Sequence, residues 1–291
     1  MCSLALGPAD CTQMKINQME NKTMEGLQIV VCGTLVPDPL QTLEPVTTPT
    51  VPGLKNETML PSVLDPWAAH SLYEAANLAK KVPGSKVYLV SLGPKAKLQQ
   101  LMMTVAQKVP FELVAIDGSA SGFTDAMEVA KTLAAAIEAI PGLDKARLLV
   151  FGGCASASRD AGVTMQLIGE QLGITDQFVG VDEIRMSDDG SFSVLERIEG
   201  GQYLASTCAG APAVLAWATG SLPEPPNNPQ VGMANMRFVI PALQKARPVA
   251  VGVGSINFEK SEVPAQKRAT RIVKDVSADV IAAEIVEWIK G

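Results

Sequence analysis

With 291 residues and a formal charge of −6, the chain is long enough for one large or two small domains with a substantial core, and its charge excludes the basic footprint of a nucleic-acid binder. Aromatic residues make up 4% of it, too few for a base-stacking surface, and its single histidine excludes a histidine-based zinc site. Five cysteines, Cys2, Cys11, Cys32, Cys154 and Cys208, form no C-x-x-C pair, a pattern of reduced thiols rather than of a disulfide framework.

Residues 1–26 are polar, rich in Met and Asn, and lack both a basic leader and a continuous apolar core, so a disordered extension is expected there rather than a signal peptide. No apolar run reaches the roughly 20 residues that cross a bilayer. The apolar content is therefore assigned to a buried core, and a cytoplasmic protein without direct membrane insertion is expected. Leu27 to Cys32 reads as a buried strand ending at Gly33, and Val36 to Val63, rich in Pro and Thr, as a loop or short hairpin. Asp65-Pro66-Trp67 opens a helix, with Asp65 as N-cap and Pro66 at its first position; it runs to about Lys81 and stops before Pro83-Gly84. It carries His70, read as a surface or interface residue with no chemistry.

Lys86 to Leu92 is the next strand, and Gly93-Pro94 starts a helix in which Met102-Met103 is read as core. Phe111 to Asp117 is a third strand, Phe123 to Ile140 an Ala-rich helix, Arg147 to Phe151 a fourth strand, and Arg159 to Leu172 a further helix. Strand and helix alternating at this spacing imply right-handed crossovers and a parallel α/β sheet covered on both faces. Beyond Gly173 the texture turns antiparallel: Val179 to Met186, a turn at Asp188-Asp189-Gly190, Phe192 to Ile198, a turn at Glu199-Gly200-Gly201, and Tyr203 to Cys208. Ala213 to Thr219 is another apolar run. Residues 27–246 are read as one α/β nucleotide-binding domain and 247–291 as an arm, extended at first, that ends in an amphipathic helix over Asp279 to Lys290.

Parallel sheets of this kind bind ligands at the carboxyl ends of their strands. There Gly152-Gly153-Cys154-Ala155-Ser156-Ala157-Ser158-Arg159 joins a strand to a helix through small residues whose backbone N–H groups can approach an anion, with two hydroxyls and Arg159 beside them. A tight turn with Ser158 as helix cap accounts for the same residues. The stretch is neither a Walker loop nor G-x-G-x-x-G. A second candidate is Met236 to Pro248, where the apolar Ile240-Pro241-Ala242-Leu243 is followed by Lys245 and Arg247. A greasy tip with a cationic flank, placed after the Pro-rich Leu222 to Pro229, reads as a partner-docking loop.

That segment resembles the recognition loop of the electron transfer flavoprotein beta subunit family, whose pattern runs roughly Arg-aromatic-x-x-Leu-Pro-x-x-Met-Lys-Ala-Lys/Arg. The likeness extends along most of Leu27 to Gly291. Val36-Pro37-Asp38, Asp65-Pro66-Trp67, Ser91-Leu92-Gly93-Pro94, Glu196 to Gly201 and Gly210 to Val214 are similar, in order, to family segments. The resemblance implies an adenine-nucleotide hydrolase-like (Rossmann-like) domain and an arm packing on an alpha subunit that holds the redox FAD. It also implies AMP, or a second FAD, bound in this chain. Carried across, the nucleotide contacts fall on Cys32, Asp65, Pro66, Trp67, Ala68, Leu92, Gly152, Gly153, Cys154, Ala155, Ser156, Ala157, Ser158, Arg159, Asp160, Ala161, Gly162 and Val163, with no catalytic residue and no metal. Partner docking falls on Ile240, Pro241, Leu243, Lys245 and Arg247. The implied role is an electron carrier between a flavin dehydrogenase, such as an acyl-CoA dehydrogenase, and a quinone reductase or other redox partner. An electron-bifurcating, NADH-oxidising member with a second FAD, and a universal-stress-type adenine-nucleotide-binding protein, are the alternatives. The sequence departs from the family pattern at Thr34, Asp65, Ala68, Ala157-Ser158-Arg159 and Gly162-Val163-Thr164.

Overall fold

A computed structural model describes residues 26–47, 52–118, 123–158, 160–251, 256–260, 262, 265 and 269–291. The expected extension at 1–26 therefore lies outside the described residues except for Gly26, as does Arg159. Nine strands form one sheet, in the order β11 (Tyr203–Cys208), β10 (Phe192–Arg197), β9 (Gln177–Met186), β12 (Ala213–Trp217), β8 (Leu148–Gly153), β1 (Gln28–Cys32), β6 (Lys86–Gly93), β7 (Glu112–Gly118) and β13 (Pro248–Val249). From β9 to β13 all neighbours are parallel; only β10 and β11 run antiparallel. The inner strands β12, β8, β1 and β6 are covered on both faces, so their side chains are mostly apolar in both directions instead of alternating. In β1, Ile29 and Val31 enter one core layer and Val30 and Cys32 the other.

The first layer is completed by helices α1 (Pro66–Lys81), α2 (Lys95–Val105) and α5 (Pro229–Lys245), and the second by α3 (Ala126–Glu138) and α4 (Thr164–Gln171). The expected loop or hairpin between Val36 and Val63 resolves into two small ladders, β2 (Leu35–Pro37) with β5 (Ser62–Leu64) and β3 (Pro45–Thr47) with β4 (Pro52–Leu54). The strand expected over Val179 to Met186 in an antiparallel addition also joins the parallel sheet, because the apolar run at Ala213 forms β12, buried along its whole length, which inserts between β8 and β9. Among the described residues, no helix is long and apolar enough to cross a membrane.

The expected docking loop over 236–247 is also corrected: most of it is the second half of α5. Asn228 caps that helix by accepting from the Gln230 and Val231 N–H groups, and Pro229 occupies its first turn, where a missing N–H costs nothing. Pro241 sits inside the helix on its exposed side, along with Arg237, the residue whose carbonyl loses the bond and is left to water. The helix is held by one stripe of inward residues, Asn235, Val239 and Leu243, spaced four apart. Asn235 is buried, donates to the Ala106 and Val109 carbonyls and accepts from the Phe111 N–H, so a single amide serves three backbone groups of the α2–β7 turn. Met102 is fully buried as expected, whereas Met103, expected beside it in the core, is 57% exposed because the next residue on a helix turns about 100° away.

Replacing Asn235 by Ala leaves those three groups without partners in a dry site, at a cost of about 3 kcal/mol. Urea denaturation should show the midpoint falling at unchanged slope; a loss below about 1 kcal/mol would mean that α5 is held by its apolar contacts alone.

Candidate functional site

The carboxyl ends of β1, β6 and β8 open into a cleft of about 880 Å³. One wall is Thr34, Leu35 and Pro37 with Ser62 of β5 and with Glu57 and Thr58 from the 3-10 turn between β4 and β5. The opposite wall is the segment from Gly153 to Met165, and Lys97, Phe123, Val129, Leu133, Val251 and Ile256 to Phe258 close the remaining side. Of the nucleotide contacts expected from sequence, Cys32, Asp65, Gly153, Cys154, Ala155, Ser156, Ser158, Asp160, Ala161, Gly162 and Val163 line this cleft. Pro66, Trp67, Ala68, Leu92, Gly152 and Ala157 do not. Leu92 and Ala68 are buried in the two core layers, where they pack rather than face a ligand. Arg159 lies outside the described residues.

The two glycines of the expected phosphate cradle serve packing. A Cβ on Gly152 would stand 2.3 Å from the Met165 sulfur, and one on Gly153 would stand 2.5 Å from the Trp67 Cβ. They let α4 and α1 approach the end of β8. The alternative reading, Ser158 as helix cap, is corrected as well. The helix starts later than expected, at Thr164 after Val163, because the chain takes left-handed turns at Asp160 (φ 53°) and Gly162 (φ 67°) before it.

The centre of the rim is Asp65. Its backbone is the N-cap of α1, where one carboxylate oxygen accepts from the Trp67 N–H at 3.1 Å. The other oxygen accepts from the Ser156 hydroxyl at 2.8 Å and the Ala157 N–H at 2.9 Å. Asp160 accepts from the Ser156 N–H at 3.2 Å, and the Ser156 hydroxyl accepts from the Ser158 N–H at 3.2 Å. The three consecutive N–H groups of the arch are thus all taken by side chains of this chain. Burial pushes the Asp65 carboxyl above its ordinary value of 3.8, against the pull of the Ser156, Ala157 and Trp67 hydrogen bonds. Burial also pushes the Cys32 thiol up to about 12, and raises that of Cys154, so neither is poised as a thiolate nucleophile. Among the described residues, no group of three or more His, Cys, Asp or Glu side chains is placed to hold a metal ion.

Sequence reading missed Thr34, Glu57, Thr58, Lys97, Phe123 and Ile256 to Phe258. They come from five separate segments, and only Lys97, at the start of the helix after Ser91-Leu92-Gly93-Pro94, carried any positional signal. Of the expected docking residues, Ile240 is 51% exposed, and Pro241, Lys245 and Arg247 are exposed, but Leu243 faces inward at 5% and packs in this chain's own core. Met233, Arg237 and Phe238 share the outer surface of α5 with Ile240. The C-terminal helix, α6 (Ala278–Lys290), buries no residue. Its apolar side chains Val280, Ile281, Ile285, Val286, Trp288 and Ile289 all face outward, Trp288 at 86%.

A family model for the electron transfer flavoprotein domain matches residues 56–251, from the turn that walls the cleft to the end of the sheet. The chain belongs to the electron transfer flavoprotein domain family. No curated protein gives a significant match. This domain occurs in both the alpha and the beta subunits of electron transfer flavoproteins, and members of the family typically bind flavin. In this member of the electron transfer flavoprotein family, the Asp65 clamp, α5 and most of the cleft lining fall within the match, whereas Cys32 to Pro37, Ile256 to Phe258 and α6 fall outside it.

Asp65→Ala removes a helix cap and the acceptor of the Ser156–Ala157 arch, a loss of about 2 kcal/mol, while Asp65→Asn keeps the cap and costs about half of that. Because the folded carboxyl is raised above its unfolded value, the folded state binds the proton more readily, so the ionised form of Asp65 is a stability cost at neutral pH that acidification relieves. Relative to the non-titrating Asp65→Asn, the wild type should gain stability as pH falls from the raised value toward 3.8. Paired denaturation curves between pH 7 and 4 check this, and a gap that widens against the wild type on acidification would contradict it.

Proposed function

We propose that this chain is the beta subunit of a heterodimeric electron transfer flavoprotein, with an alpha subunit that holds most of the FAD. The observation that carries the reading is α6, an amphipathic helix whose apolar side chains are exposed among the described residues. Ile272, Val273 and Val276, just before it, are exposed too. A contiguous apolar surface of this kind is kept from water by another polypeptide. The side chains of Arg271 and Glu284 pair by two hydrogen bonds, tying the arm to the helix, and the pair presents them as one unit.

The outer face of α5 supports the second half of the reading. Met233, Phe238, Ile240 and Pro241 are exposed on the outer side of α5, with Arg237 among them and Lys245 and Arg247 following. In a chain of net charge −6, cations among exposed apolar side chains steer an acidic partner toward an apolar contact. The partner we assign is a flavin dehydrogenase of the acyl-CoA type, with a quinone reductase as acceptor. Flavin supplies the one- and two-electron chemistry. This chain's residues bind, orient and shield, and make or break no bond. A nucleotide in the cleft, AMP or FAD, has a structural role in this reading, but the arch at Ser156 to Ser158, already filled from within, does not fit its phosphate.

Co-expression with an alpha subunit tests the assembly. The full chain should purify as a flavin-containing heterodimer. Removing residues 270–291 should lower the yield of that complex by roughly tenfold or more, while the isolated truncated chain, which loses no buried residue of α6, melts within about 3 °C of the full one. Undiminished assembly without the arm would remove the reading's main support. Ile240→Glu, at an exposed position, should reduce the second-order rate of reduction by the dehydrogenase about tenfold without changing the melting temperature. A rate equal to wild type would take the docking surface off α5.

A further inference from the structure

The cleft has the size of a nucleotide site, and its described lining is acidic. Among its described lining residues, Glu57, Asp65 and Asp160 are acidic and only Lys97 is basic, and the Lys97 ammonium already donates to the Glu57 carbonyl at 3.2 Å. At the arch, the place a phosphate oxygen would take is held by the Asp65 carboxylate, on the Ser156 hydroxyl and the Ala157 N–H. An incoming phosphate would either stand against that carboxylate or displace it, and displacement also uncaps α1, since the same side chain accepts from the Trp67 N–H. The first turn of α4 points favourable N–H groups into the cleft, but the acidic side chains around it work against the same anion. The opposite side is apolar and aromatic, with Phe123 and Phe258 in edge-to-face contact at 6.1 Å beside Val129 and Leu133. Such walls suit a flat, uncharged ring, and carboxylates accept hydrogen bonds from hydroxyl or amine donors.

We propose that Asp65 and Asp160 close the arch to phosphate, so that this cleft selects an uncharged nucleoside-class ligand over its phosphorylated form. The proposal rests on the reading of the cleft as a nucleotide-type site and adds the specificity of that site. Asp65 is its internal anion, filling from within the groups that a phosphate would otherwise satisfy. Asp160 holds the arch in the closed form through the Ser156 N–H.

Calorimetric titration of the full-length chain with adenosine and, separately, with AMP tests it. Adenosine should bind about tenfold or more tightly than AMP. Asp65→Asn should shift that ratio toward AMP by at least about fivefold. Asp160→Asn should shift it in the same direction, and as an exposed residue with φ 53°, a conformation Asn accepts, it keeps the test open if the buried variant fails to fold. AMP binding tighter than adenosine in the wild type, or a ratio unmoved by the folded variants, would overturn the inference and leave the nucleotide-site reading standing. Binding of neither compound would overturn the inference, and binding of none of adenosine, AMP and FAD would overturn the nucleotide-site reading as well.

Discussion

One carboxylate joins the parts of this molecule that face a ligand. Asp65 stands where the first crossover helix begins, and its second oxygen reaches across to the loop after β8, 91 residues further along the chain. In a parallel sheet every βα junction ends with free N–H groups, and the strand order decides which junctions meet. Here β8 lies next to β1, so the helix start that follows β5 and the arch that follows β8 share one acceptor. Taking that charge out of water is costly, which is why its carboxyl is pushed upward. The hydrogen bonds that converge on it offset the cost and fix the rim. The shape of the cleft thus comes from an acid built into the chain rather than from a bound anion.

The same division between a finished interior and an unfinished exterior runs through the rest of the fold. The inner strands are sealed on both faces, and two buried polar side chains tie segments together: Glu74 accepts from the Ser221 and Leu222 N–H groups to hold the turn after β12, as Asn235 holds α5. At the edges the logic reverses. The outer surface of α5 and the whole of α6 carry large apolar side chains into solvent. In an autonomous domain that would be a liability. In the heterodimer proposed above, these surfaces are the ones a partner would cover.

Much of this was legible in the sequence, and the parts that were not share a physical cause. The continuous apolar runs at Leu27 to Cys32 and Lys86 to Leu92 declared strands buried on both faces, and Asp65-Pro66 declared its helix start through the chemistry of the N-cap and first turn. These signals are local. The insertion of β12 between β8 and β9 depends on pairings that no local pattern encodes, so Ala213 to Trp217 read only as an apolar run. The helix over Pro229 to Lys245 was hidden by Pro241, which reads as a breaker but lies on the face where the lost bond is solvated, and by Asn235, a polar residue in the buried stripe. Leu243 looked like part of an exposed tip because its helical phase, once α5 was taken for a loop, had no meaning. In the site, the small residues after β8 were found for the wrong reason. The smallness of Gly152 and Gly153 serves Met165 and Trp67, and the partner of the Ala157 N–H was Asp65, too far away in sequence to be paired with it.

The most direct measurement of the central claim follows the flavin of the assembled complex by absorbance after mixing with a substrate-reduced flavin dehydrogenase, then with a quinone reductase. An electron carrier predicts bleaching in the first step and recovery in the second, with no substrate turnover when the dehydrogenase is left out. A flavin that stays oxidised beside every reduced dehydrogenase tried, or a complex that oxidises a substrate unaided, would contradict the account.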